Sequence, residues 1–124
     1  MVEAQALAAP YQVRFRAGRN TGLADTLKDG VGGSAGLRPH ELLEAALASC
    51  ITISARMALE ERGLADIRVT VSVILEREES VTRFRYDLVL DPPVDELHYK
   101  AVAERVERSA VRQTLSKPLV FEPV

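Results

Sequence analysis

Between Pro39 and Arg62 lies a stretch that reads as one helix and is apolar on nearly every face in its first half. From Leu42 to Ile53 only Glu44, Ser49 and Thr52 interrupt the run. Pro39 suits a first helical turn, Glu41 and Glu44 lie near its positive end, and Gly63 supplies a stop just past Arg56, Glu60, Glu61 and Arg62. A helix with a single apolar stripe needs one packed neighbour, whereas a helix apolar nearly all round must be covered on more than one side. A chain of 124 residues makes one domain by the usual length prior and has few other elements to do the covering. A second subunit is the expected cover.

The elements around this helix are set by periodicity. Tyr11, Val13 and Phe15 alternate with Gln12, Arg14 and Arg16, which predicts a strand with one buried face. Ala17 to Leu37 holds six of the seven glycines, with Asp25 and Asp29 among them, so a turn-rich segment around one short strand near Leu23–Leu27 is expected. A loop this long in a compact domain is often functional. Ile67, Val69, Val71, Val73 and Leu75 alternate with polar residues, as do Phe84, Tyr86, Leu88 and Leu90, and Glu78-Glu79-Ser80 between them predicts an antiparallel hairpin. After Pro92-Pro93, Asp95 and Glu96 open another helix, whose stripe of Val94, Leu97, Ala101, Val102 and Val106 continues onto Ser109. Pro118 breaks any further helical run, and Leu119-Val120-Phe121 predicts a closing strand. The order of strands, long central helix, hairpin, helix and strand indicates an α+β domain over 11–124, with residues 1–10 as an N-terminal extension.

Composition removes several functions. Sixteen basic and eighteen acidic side chains leave a net charge of −2 with no long block of either sign, against the concentrated basic surface that nucleic acid requires. No hydrophobic run is read as long enough to span a membrane, and residues 1–10 lack the pattern of a secretion signal. One cysteine and no export signal suit the reducing cytoplasm. His40 and His98 lie in different predicted helices and no second thiol is present, so metal binding is disfavoured and no cofactor is called for. Neither a phosphate-binding loop nor a dinucleotide fingerprint occurs.

What remains is Cys50, in Arg38-Pro-His-Glu-Leu-Leu-Glu-Ala-Ala-Leu-Ala-Ser-Cys50. A lone thiol closes no intrachain disulfide, and its plain reading is a small buried hydrophobe. Any thiol mechanism here must use a single sulfur with outside help. His40, in the first helical turn, lies ten positions from Cys50, ~15 Å along a helix axis, so the two could pair only across subunits. His98 reads as packed or exposed rather than as a ligand. Arg14, Arg16 and Arg19 lie close together, and the first two share the polar face of a strand, which reads as solvated.

The run Gly36-Leu-Arg-Pro-His-Glu-Leu-Leu-Glu-Ala-Ala-Leu-Ala-Ser-Cys50 resembles the OsmC/Ohr family of osmotically inducible and organic-hydroperoxide-resistance proteins, whose hallmark is Gly-x-x-Pro-x-Glu-Leu-Leu-x-Ala-Ala-x-x-x-Cys. The resemblance extends by element order from about Tyr11 to Phe121. It implies an intertwined homodimer with the two central helices packed between sheets, and peroxide chemistry in which Cys50 is the thiol that becomes a sulfenic acid. Two departures accompany it. Ser109, in Ser-Ala-Val-Arg-Gln-Thr-Leu115, stands where peroxidatic members carry a resolving cysteine, and His40 follows the motif proline where the hydroperoxide-resistance branch has a glutamate. Arg19 is the best match to the family's loop arginine, with Arg16 and Arg38 as substitutes.

Three readings stay open on these residues. The first is a one-cysteine thiol peroxidase, with an organic hydroperoxide as substrate, an external thiol as reductant, and Cys50, Arg19, His40 and Ser109 as site residues. The second is a non-catalytic dimer acting in binding or structure, with Cys50 inert. In the third, a redox sensor, Cys50 is oxidised without cycling.

Overall fold

The computed structural model describes residues 1–124, which form two compact units, Met1–Leu43 and Glu44–Val124. In the first, β1 (Glu3–Ala6), β2 (Val13–Ala17) and β3 (Asn20–Ala24) make an antiparallel sheet in that order. β1 thus forms within the segment read as an extension, its Glu3 opposite Arg16 and its Ala6 opposite Val13. The glycine-rich segment holds more regular structure than the one strand expected near Leu23–Leu27. Besides β3 it carries the short pair β4 (Leu27–Lys28) and β5 (Val31–Gly32). Asp29 and Gly30 join this pair with φ of 52° and 77°, the two positive values that a tight hairpin turn demands.

Asp25 organises the rest of the segment. It is buried, and its carboxylate accepts N–H bonds from Thr26 at 2.8 Å and Ala35 at 3.0 Å. The Ala35 bond does most to hold its carboxyl below the ordinary value of 3.8, against the opposing effect of burial, with help from the Thr26 and Gly33 amides. Gly36 then passes so close to the Leu23 carbonyl that a Cβ there would sit 2.0 Å from its oxygen, which only glycine avoids.

Helix α1 spans Pro39–Glu61 and closes at Gly63, which has φ of 74°. Its start is capped as its sequence suggests, because the Glu41 carboxylate reaches back to accept the Arg38 N–H at 2.8 Å. In the second unit, β6 (Arg68–Arg77) and β7 (Thr82–Asp91) form the expected antiparallel hairpin. The register sets Val69 opposite Leu90, Val71 opposite Leu88, Val73 opposite Tyr86 and Leu75 opposite Phe84, so one face is apolar throughout. On the other face Arg85 reaches Glu76 at 2.9 Å.

Helix α2 (Glu96–Glu107) starts at Asp95, whose carboxylate accepts the His98 N–H at 2.8 Å. Leu47, Ile51, Ala55, Ala58 and Leu59 of α1 form the core of this unit with Leu88 and Leu90 of β7 and Val102 and Val106 of α2. A break at Arg108 separates α2 from a third helix, α3 (Ala110–Leu115), which the sequence reading does not anticipate.

Two expectations are corrected. Residues 118–124 form no strand, and Leu119, Val120 and Phe121 are exposed, because a strand needs a neighbour to pair with and none is supplied to them. By length and composition alone α1 is apolar enough to cross a membrane, contrary to the reading that no run is. The same composition suits a core helix, and its Leu47–Leu59 face is packed against the hairpin and α2.

Candidate functional site

The site is built on α1 and the start of α3. Ser109 closes the α2 stripe one step past Val106 and is buried, 2% exposed, even though the helix has already ended. Its backbone, with φ of −61° and ψ of 142°, is extended, and it serves as the N-cap of α3. Ordinarily an N-cap serine accepts an N–H from the second or third helical residue. Here its hydroxyl makes no such bond. The amide of the second residue, Val111, instead donates to Cys50 Sγ at 3.4 Å. Cys50 is half-buried, and its sulfur takes the acceptor position that the cap leaves free. The Ser109 hydroxyl in turn is buried without any hydrogen-bond partner.

A concavity of about 280 Å³ opens one turn along α1 from Cys50, lined by Leu47, Thr82, Phe84, Tyr86, Arg112 and Leu115 together with Ser116. Phe84 and Tyr86 give it an apolar wall. Arg112 gives it a cation, whose Nη1 is partly engaged by the Glu107 carbonyl at 2.8 Å. Along α1 itself, Leu43, Ala46, Cys50, Ile53 and Met57 succeed one another at spacings of three and four, with Ile53 60% exposed. Cys50 therefore sits in the middle of a second apolar stripe, distinct from the packed face.

Of the expected site residues, Cys50 and Ser109 both meet the start of α3, Cys50 through the Val111 amide and Ser109 as the N-cap. His40 is exposed in the first turn of α1, ten residues before Cys50 on the same helix. Arg19 lies at the tip of the two-residue loop between β2 and β3, exposed in the first unit. Arg16 pairs with Glu3 at 2.7 Å, and the Arg38 side chain lines a surface concavity with Leu27, Gly33 and Glu41. His98 accepts from Arg62 Nε at 2.7 Å on its Nδ1, a surface contact. The residue that sequence reasoning missed is Val111, because the amide matters rather than the side chain. Ser109 is the one sequence signal for it, as a residue type that starts helices. No group of three or more His, Cys, Asp or Glu side chains is gathered to hold a metal ion.

No curated protein matches the sequence. Solved structures do. A protein of Psychrobacter arcticus, provisionally described as an osmotic stress induced and detoxification response protein, superposes with a TM-score of 0.73 at 14% identity over 91% of this chain and 85% of its own. An OsmC-like protein of Mycoplasma pneumoniae gives 0.69 at 14% identity over 93% and 85%. A Legionella pneumophila protein described as an organic hydroperoxide resistance protein OsmC gives 0.63 at 16% identity over 94% and 88%. At such identities these likenesses speak for the fold. The family model described as OsmC-like protein matches residues 31–123, from β5 through α1, the hairpin and both later helices, so the half-buried thiol and the chain around it are those of a member of the OsmC-like family.

Proposed function

We propose that this protein is a one-cysteine, thiol-dependent reductase of organic hydroperoxides, acting as a homodimer in cytoplasmic defence against oxidative stress. The observation that carries the reading is the N–H···S contact from Val111 to a half-buried Cys50 that lies one turn from an open concavity with an aromatic wall and a cation. Among the neighbours in fold, the Legionella pneumophila protein is described as an organic hydroperoxide resistance protein.

The chemistry is a two-electron exchange at one sulfur. Cys50 as thiolate attacks the peroxide oxygen, an S–O bond forms, the O–O bond breaks, and the alkoxide takes up a proton and leaves as an alcohol. The Val111 amide is the donor that meets negative charge on the sulfur as it reacts. In this reading Arg19 and His40 complete the set of site residues, His40 serving across the dimer. Serine at 109 offers no thiol to condense with the sulfenic acid. An external thiol therefore does so, releasing water and leaving a mixed disulfide, and a second equivalent restores Cys50 and departs as the oxidised reductant.

The dimer reading rests on the stripe of Leu43, Ala46, Ile53 and Met57, which stays exposed in the single chain although it flanks the reactive sulfur. The test is consumption of cumene hydroperoxide in the presence of dithiothreitol. Turnover by the wild type and none by Cys50→Ser supports the proposal. A wild type that consumes one equivalent and stops is a sensor, and one that consumes none is a binding or structural protein.

A further inference from the structure

A buried hydroxyl without a partner is rare in a folded protein and calls for a reason. Ser109 Oγ is such a hydroxyl. It stands at the N-cap of α3, beside the Val111 amide that an N-cap side chain would ordinarily engage, and that amide is taken by Cys50 Sγ at 3.4 Å. The sulfur thus takes the N–H that the N-cap hydroxyl two residues earlier would ordinarily accept. α3 has only six residues, so the site depends on these groups and not on a helix dipole.

We infer that Ser109 holds the oxygen that Cys50 acquires, donating its O–H to the sulfenate, and that this bond protects the oxidised sulfur from a second oxidation. The inference rests on the peroxide chemistry proposed for Cys50. In the reduced protein the hydroxyl proton has nowhere to go, because the thiol offers little as an acceptor and the amide beside it is itself a donor. Transfer of one oxygen from an organic hydroperoxide puts an acceptor with several lone pairs on the sulfur. The Ser109 O–H then satisfies one of them, and the orphaned group finds its partner only in the oxidised state.

The protection has a simple origin. Over-oxidation occurs when the sulfenate sulfur attacks a second hydroperoxide, forming another S–O bond and breaking another O–O bond to give sulfinic acid and a second alcohol. A hydrogen bond drawing on the sulfenate charge makes that attack slower. Serine at this position cannot resolve the sulfenic acid as a thiol would. It keeps that species intact until an external thiol arrives.

The experiment tracks intact mass during exposure to excess cumene hydroperoxide without thiol, in wild type, Ser109→Thr and Ser109→Val. The last two have the same shape and differ in whether a hydroxyl is present. The quantity read is the rate of gaining the second oxygen divided by the rate of gaining the first, which a general loosening of the fold would not raise selectively. Ser109→Thr is expected to stay near wild type, and Ser109→Val to show a ratio roughly 3- to 10-fold higher, the effect of losing one hydrogen bond. Equal ratios in Ser109→Thr and Ser109→Val overturn the role of the hydroxyl while leaving the peroxide chemistry standing. A wild type that gains no oxygen at all overturns both.

Discussion

Single residues in this protein do their work through backbone amides. Asp25 accepts N–H bonds from Thr26 and Ala35 and is held below its ordinary value of 3.8, mainly by the Ala35 bond. Its contribution to stability is therefore complete above about pH 3.8 and is lost as pH falls through the lower folded value, where protonation spoils the acceptor. Asp25→Asn keeps the shape and loses an acceptor oxygen, so urea unfolding should place it below wild type near pH 6, and the gap should close in more acidic solution. A gap that stays constant with pH would remove the carboxylate from this role. Cys50 too accepts a backbone N–H, that of Val111. Asp25 and Cys50 are visible in the sequence as residues, but their partners are not, because an amide carries no side-chain signature and is brought in by the path of the chain.

At the scale of elements, α1 and the hairpin were legible and the ends of the chain were not. Valine alternation from Val69 to Val73 and its counterpart from Phe84 to Leu90 specify two faces and a register, which needs only local pattern. The Leu119-Val120-Phe121 run has the composition of a strand, yet pairing is a property of two segments and the run alone cannot supply it. The break at Arg108 was hidden for a related reason, since Val102, Val106 and Ser109 keep helical spacing across it and all are buried. α1 itself presents two apolar faces with different tasks. Leu47→Ala or Ile51→Ala removes methyl groups from a packed core and should lower unfolding free energy by about 2–5 kcal/mol in chemical denaturation. Ile53→Ala, on the opposite face, should shift the fold of a single chain by less than about 0.5 kcal/mol, with its effect appearing in assembly instead.

For the molecule as a whole, the open stripe beside Cys50 is the feature that the fold of one chain leaves unexplained. If two copies bury it against each other, light scattering should give twice the chain mass, and Ile53→Glu should weaken association by roughly 10-fold or more by setting an unpaired charge in an apolar contact. A wild type of single-chain mass across the micromolar range would contradict that assembly. In the proposed chemistry such an assembly would surround a lone sulfur that reacts with peroxide and is then restored by a thiol from outside. The most direct measurement is steady-state consumption of cumene hydroperoxide with dithiothreitol as the only reductant, compared between wild type and Cys50→Ser. Many turnovers per chain are expected in the wild type and none in the variant. Equal rates in the two proteins, or a wild type no faster than dithiothreitol alone, would contradict the proposed chemistry.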